Sequence, residues 1–112
     1  MDSGDTRVKA APKHPLAEVL PRIGNAHITR QNAKRRVCGE HGCSEVEAAA
    51  FIRQELRKLT DAMFVKRVPY PDRKTDDQYF LPVDGYERPW FVKIRLEGNQ
   101  LFVTAFHPQD VP

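Results

Sequence analysis

Apolar residues recur at intervals of three and four between residues 44 and 63, which is the spacing of one face of a helix. They are Val46, Ala49, Ile52, Leu56, Leu59 and Met63. Ser44 and Glu47 have the spacing of a capping box, so the helix is predicted to begin at Ser44 and to run to about Thr60. Its apolar stripe needs a second apolar surface to lie on.

The pattern predicts shorter elements on either side of this helix. Residues 15–23 have helical spacing, residues 26–29 suit a short edge strand, and residues 30–38 form a basic helical turn. Residues 62–68 and 78–83 are rich in β-formers, with a turn-rich loop over 69–77 between them. Pro82 is predicted to mark a strand end or a sheet edge.

The clearest strand signal lies in residues 88–108, RPWFVKIRLEGNQLFVTAFHP, where two alternating runs flank Gly98 and Asn99. Strict counting from this turn pairs Glu97 with Gln100 and continues outward to Trp90 opposite His107. One face then collects the core side chains Trp90, Val92, Ile94, Leu96, Leu101, Val103 and Ala105, with His107 at its end. The second face collects Phe91, Lys93, Arg95, Phe102, Thr104 and Phe106. A local bulge near Pro108 would move His107 to this second face.

Helices followed by an antiparallel meander predict an α+β fold. We expect two to three helices packed on one face of an antiparallel sheet of four to five strands. Residues 1–13 mix small, charged and proline residues and are predicted to form a flexible leader, with a single domain over residues 14–112.

Length and charge narrow the class of protein. A chain of 112 residues holds one core, and its net charge of +3 and pI near 9.0 fit polyanion binding without requiring it. No stretch has the length of a membrane span and the N-terminus lacks the apolar segment of a signal peptide, so a cytoplasmic protein is expected.

The CGEHGC run encloses Gly39 to Gly42 between Cys38 and Cys43. Two thiols at this spacing suit a disulfide or part of a zinc site, but a structural zinc ion takes four ligands and only His27 or His14 stands nearby. We therefore predict a glycine-containing loop and no metal or cofactor.

The second hairpin face has two interpretations. It is either a small core layer covered by other elements or a partner, or an open surface on which bases stack on rings and phosphates meet cations. Lys93 and Arg95 favour the open surface, because two unpaired buried cations would be costly. The basic run with Arg30, Lys34 and Arg35 is either a solvated helix face or a second phosphate contact.

Five short motifs occur in the order found in bacterial RNA-cleaving toxins. They are Thr29 to Ala33, FVK (64–66), DDQYF (76–80), FVKI (91–94) and AFH (105–107). Over residues 26–108 the chain thus resembles the MqsR-type toxins, within the wider RelE-like and barnase-like ribonuclease group. Four positions depart from the family pattern. Phe91 takes the place of a frequent Tyr and His107 that of a final Lys, while Val65 stands where an aromatic residue is usual and Asp77 where a Trp is common.

This resemblance implies a RelE/barnase-like fold and a metal-independent endoribonuclease, an mRNA interferase that inhibits growth and is neutralised by an antitoxin protein. Its catalytic residues would be Lys66, Gln78, Lys93 and His107, with RNA contacts from Phe91, Arg95, Phe102, Thr104, Arg30, Lys34 and Arg35. His107 is the candidate acid or base, since its ordinary pKa lies nearest neutrality. The alternatives are an RNA- or DNA-binding module without catalysis and a protein-interaction domain that uses the same face.

Overall fold

A computed structural model describes residues 11–110, which form helices on one face of a five-stranded sheet. The helices are α1 (Leu16–Val19), α2 (Arg35–His41) and α3 (Glu45–Leu56). Helical turns occur at Leu20–Asn25, Arg30–Lys34 and Asp61–Met63, of which the second is a π-helical turn. The strands are β1 (His27–Ile28), β2 (Phe64–Pro69), β3 (Thr75–Leu81), β4 (Trp90–Glu97) and β5 (Gln100–Pro108).

The strand order is β1-β5-β4-β3-β2, and every neighbouring pair is antiparallel except the short β1, which runs parallel to β5. The predicted α+β class, with helices packed on one face of a sheet of four to five strands, is confirmed, and the parallel β1 is the departure from the antiparallel pairing that was expected. The helices cover the face that carries Trp90, Val92 and Ile94, none of which is exposed. No helix within residues 11–110 is long and apolar enough to cross a membrane.

Helix α3 begins as its sequence predicts, with the Ser44 hydroxyl accepting from the Glu47 amide and the Glu47 carboxylate accepting from the Ser44 amide. It ends at Leu56, before the predicted Thr60, and its buried face is Ala48, Ile52 and Leu56. Placing Val46 in the apolar stripe was wrong, since its surface is 81% exposed. Val46 precedes Ile52 by six residues, which turns it about a third of a turn away from the buried face.

The CGEHGC run is not a loop, because helix α2 continues through His41 and closes on Gly42, whose φ of 64° is the left-handed conformation of a helix C-cap. Cys38 and Cys43 are free thiols that pack partly against the core. The predicted loop over residues 69–77 is also shorter than expected, because β3 already begins at Thr75.

Positions 11–13 of the predicted leader lie against the sheet, whereas residues 1–10 fall outside the described part of the chain. The buried Asp77 carboxylate accepts the backbone amides of Lys13 and His14 at 2.9 and 2.8 Å. The Arg67 guanidinium donates to the Ala11 carbonyl at 2.9 Å. These bonds hold the chain entering α1 against β2 and β3.

Candidate nucleic-acid interface

The sheet face opposite the helices is called the open face here. It carries Lys66, Asp76, Gln78, Phe80, Phe91, Lys93, Arg95, Phe102, Thr104 and His107. The part of the hairpin nearest the turn follows the predicted pairing, from Glu97 opposite Gln100 to Ile94 opposite Val103. Gly98 has a φ of 61°, as expected for the first central residue of a type II′ turn.

Beyond Ile94 the hairpin departs from strict counting, because β5 contains an extra residue. Lys93 lies opposite Ala105 and Phe91 lies opposite His107, which makes a bulge at Thr104 and Ala105. The prediction that Phe106 faces outward was therefore wrong, since its side chain is fully buried in the core. Ala105 is buried, as predicted, although it now lies opposite Lys93.

The same bulge settles the position of His107, which strict pairing put on the core side. His107 stacks on Phe91 with ring centroids 5.1 Å apart and an interplanar angle of 17°. Its Nδ1 lies 2.6 Å from the Pro108 carbonyl, and because a carbonyl only accepts hydrogen bonds, Nδ1 carries a proton. In the neutral ring Nε2 then has a lone pair that can accept a proton.

A second bulge in β2 acts on Lys66 in the same way. Phe64 lies opposite Tyr79 on the helix side, yet Lys66 lies opposite Gln78, so Val65 is the extra residue. Without this bulge, alternation would turn Lys66 toward the helices. Lys66 is exposed, whereas Gln78 is 7% exposed at the centre of the sheet.

The two bulges place the four predicted catalytic residues on one face. Lys66, Gln78 and Lys93 stand in one row across β2, β3 and β4, and His107 lies in the next row beside Phe91. The Lys93 ammonium lies 5.8 Å from the centroid of the Phe91 ring, so the Lys93 and His107 side chains both adjoin that ring.

Next to this row is a buried carboxylate that sequence reasoning missed. Asp76 is 1% exposed and accepts hydrogen bonds from the Thr104 hydroxyl at 2.7 Å, the Tyr70 hydroxyl at 3.0 Å and Arg95 at 3.3 Å. Lys93 in turn donates to the Tyr70 hydroxyl at 2.7 Å. The signal was the alternation that runs back from Phe80 through Gln78 to Asp76, which the shorter predicted strand left out.

Arg95 and Thr104, both predicted RNA contacts, are engaged in this network. Arg95 is paired with Asp76 and also with Glu97, at 2.8 Å. Desolvation opposes the charge on Glu97, but hydrogen bonds from Lys74 and Arg95 hold the pKa of Glu97 below its ordinary value. Glu97 therefore stays ionised and balances the Arg95 charge. Lys93, by contrast, forms no ion pair within residues 11–110.

The predicted aromatic contacts Phe91 and Phe102 lie on the open face, and the basic run occupies the helical segment at the edge of the sheet. The Phe102 ring is half-buried, 5.3 Å from the His27 ring and 6.0 Å from the Arg95 guanidinium. Arg30, Lys34 and Arg35 occupy the helical segment after β1, and Arg30 is paired with Glu45 at 2.9 Å. The exposed Arg35 has no ion pair in the described part of the chain.

A shallow pocket of about 570 Å³ opens beside the Asp76 network. Its walls are Asn32, Tyr70, Pro71 and Asp72, and its floor is Asp76, Lys93, Arg95 and Thr104. Asn32 and Tyr70 were also missed, since each lies in a segment read only as a turn or a charged helix. No group of three His, Cys, Asp or Glu side chains within residues 11–110 is arranged to hold a metal ion.

Comparison with protein-family models, with curated proteins and with solved structures finds no match to this chain.

Proposed function

We propose that this chain is a metal-independent endoribonuclease, an mRNA interferase of a type II toxin–antitoxin pair. The observation that carries the proposal is the pair of bulges in β2 and β5, which bring Lys66 and His107 to the same face as Gln78 and Lys93. Bulges interrupt a regular ladder and are common beside active sites, where they re-aim a side chain. Here the two re-aimed residues, Lys66 and His107, both have side chains that can transfer a proton.

The residues suit cleavage by the neighbouring 2′-hydroxyl of RNA. In this reaction a bond forms between O2′ and phosphorus, the P–O5′ bond breaks, and the products are a 2′,3′-cyclic phosphate and a 5′-hydroxyl. His107 Nε2 takes the proton of the 2′-hydroxyl, because Nδ1 is committed to the Pro108 carbonyl. Phe91 holds the imidazole by stacking.

Positive charge is needed where the phosphate becomes crowded and more anionic. The Lys93 ammonium is fixed by Tyr70 and is not neutralised by a direct ion pair within residues 11–110, so it suits a non-bridging phosphate oxygen. Lys66, exposed at the end of the row, donates the proton that the leaving 5′-oxygen requires. Gln78 lies between the two lysines and orients the phosphate through its amide.

The test is incubation of purified protein with a long RNA in EDTA. We expect cleavage fragments that end in cyclic phosphate, and a loss of rate of at least about a hundredfold in His107→Ala, the range of general acid–base catalysis. The matched control is His27→Ala, which removes another imidazole that contacts an open-face ring and should retain the rate. RNA that stays intact with the wild-type protein would rule out the ribonuclease proposal.

The toxin assignment has its own test in living cells. Expression of the chain alone should arrest growth, and His107→Ala, expressed at the same level, should not. Growth restored by a protein encoded beside the gene would identify the antitoxin. Arrest that persists unchanged in His107→Ala would separate the growth effect from RNA cleavage.

The second candidate function is RNA binding without cleavage. It is favoured by the engagement of Arg95 and Thr104 in a structural network, which leaves Lys66, Lys93 and Phe91 as a small binding surface. In that case affinity for RNA should fall with rising salt while the RNA remains uncut. An affinity for RNA that does not change with salt would contradict binding through Lys66 and Lys93.

A further inference from the structure

The pocket between Tyr70 and Asn32 adjoins the row that the proposed chemistry uses. It shares Lys93 with that row, so a nucleotide whose phosphate lies at Lys93 has its own base, or the next one, within reach of the pocket. Its walls come from the loop between β2 and β3 and from the π-helical turn. Wide helical turns of this kind are frequent at functional sites.

One wall is an aromatic ring whose position is fixed. The Tyr70 hydroxyl accepts from Lys93 at 2.7 Å and donates to Asp76 at 3.0 Å, and the Lys93 ammonium lies 5.4 Å from the centroid of the Tyr70 ring. A ring held at its far end loses little freedom when a ligand packs against it. Nucleobases stack on such rings regardless of their identity.

The Asp72 carboxylate on the same wall is held by the turn. The Lys74 amide donates to Asp72 Oδ1 at 3.0 Å, and the loop is closed by bonds from the Tyr70 amide to the Lys74 carbonyl and from the Arg73 amide to the Tyr70 carbonyl. Asp72 Oδ2 has no hydrogen bond within residues 11–110. Asp72 is exposed and lines the pocket, where this oxygen can accept a hydrogen bond from a ligand.

Apart from Lys93, which is assigned to the phosphate, the polar groups of the floor are paired with one another. Asp76 and Arg95 satisfy each other, and Thr104 donates to Asp76. Across the pocket, the Asn32 side chain forms no hydrogen bond to another described residue and offers both a donor and an acceptor. Besides Lys93, the polar groups available to a ligand are therefore an acceptor on one wall and an amide on the other.

We propose that this pocket, on the basis of the ribonuclease function proposed above, binds a nucleobase that carries an exocyclic amino group and discriminates against uracil. A carboxylate accepts a hydrogen bond from the amino group of adenine, cytosine or guanine. Uracil has no amino group, and its single ring N–H donor lies between two carbonyl oxygens that the carboxylate repels. Asp72 is the specificity-determining residue, and Tyr70 supplies the stacking platform.

The experiment measures binding of fluorescein-labelled oligouridine, and of the same oligomer with one uridine replaced by adenosine, cytidine or guanosine, by anisotropy. It uses the full chain with His107→Ala, so that the RNA is not consumed. At least one amino-bearing oligomer should bind about tenfold more tightly than oligouridine, the discrimination typical of one base contact. Equal affinities for all four oligomers would overturn the proposal.

Asp72→Asn in the same background is the informative variant. Asparagine keeps the Oδ1 acceptor for the Lys74 amide, so the turn is preserved, while the other oxygen becomes an NH₂ donor. The preference for amino-bearing bases should fall to about twofold or less, with affinity for oligouridine unchanged or higher. If Asp72→Asn keeps the full preference for amino-bearing bases, Asp72 is not the specificity-determining residue.

Two further variants test the stacking platform and control for the loss of an aspartate, and the wild-type protein separates base discrimination from cleavage. Tyr70→Ala should weaken binding of every oligomer about fivefold to tenfold, as expected for the loss of one stacked base. Asp84→Asn, an exposed aspartate in the loop before β4, is the matched control and should change nothing. Base discrimination without cleavage by the wild-type protein would leave the pocket in place and reject the enzyme, whereas cleavage without discrimination would reject the pocket alone.

Discussion

Replacing Asp76 tests whether one buried carboxylate holds the open face together. In Asp76→Ala the Tyr70 hydroxyl loses its acceptor, and the Thr104 hydroxyl keeps only the Lys93 carbonyl, at 3.2 Å. Arg95 keeps only Glu97 as an ionic partner. Tyr70 and Thr104 are half-buried, so water replaces part of what is lost. The loss in the free energy of unfolding should therefore be smaller than the loss caused by leaving a fully buried charge without a partner.

The magnitude follows from the three bonds. Each hydrogen bond to a charged group contributes about 1.5 kcal/mol at the lower end of its range, and the two hydroxyl bonds together give about 3 kcal/mol. The Arg95 contact adds little, because it is long at 3.3 Å and Glu97 compensates. For a domain of this size, about 3 kcal/mol lowers the melting temperature by roughly 12 to 24 °C.

Urea unfolding followed by the fluorescence of Trp90, the only tryptophan in the chain, measures this loss. Asp76→Asn should lose about half as much, since the amide oxygen still accepts one hydroxyl. The exposed Asp84→Ala is the control and should change the free energy of unfolding by less than about 0.5 kcal/mol. A loss below about 1 kcal/mol in Asp76→Ala would refute the view that this carboxylate organises the open face.

Three further predictions concern stability, each measured by thermal or urea unfolding. Phe106→Ala should lower the free energy of unfolding by about 3–5 kcal/mol because Phe106 is fully buried. Phe102 is half-buried, so Phe102→Ala should lower it by about 1 kcal/mol. Equal losses in the two variants would contradict the bulge in β5. Ser44→Ala should cost about 1 kcal/mol through loss of the capping box, and an unchanged midpoint would show that α3 does not depend on it. Arg73→Gly should gain about 0.5–1 kcal/mol because Arg73 has a φ of 72°, while Arg73→Ala keeps that strain and should gain nothing.

The fold class and half of the hairpin could be predicted from the sequence because both depend on local patterns. Alternation on either side of Gly98 fixes four residue pairs, and the spacing of Ser44 and Glu47 fixes the start of α3. In these segments each residue's neighbours along the chain decide its environment. Val46 shows the limit of this kind of prediction. A spacing of three or four residues locates the apolar face of a helix but does not show how wide that face is, and Val46 lies outside it.

The arrangement of the candidate site could not be derived in this way. A bulge leaves no local signature at Val65 or Thr104, since its position depends on which register lets the core side chains pack. Phe106 is large and apolar, and burying it requires β5 to take up one extra residue. The same adjustment carries His107 outward. Tyr70 joins this region through hydrogen bonds to Lys93 on a neighbouring strand and to Asp76.

The bulge in β5 also has a consequence for how this chain is compared with others. Each bulge changes the parity of its strand, so residues on its two sides that are an even number apart point in opposite directions. An alignment that crosses Thr104 without a gap, against a relative with a regular strand, equates His107 with an inward-facing position and Phe106 with an outward-facing one. A distant relative with the same site would then differ from this chain at the very positions that define the chemistry. One gap placed at Thr104, and a second at Val65, bring the functional positions back into correspondence.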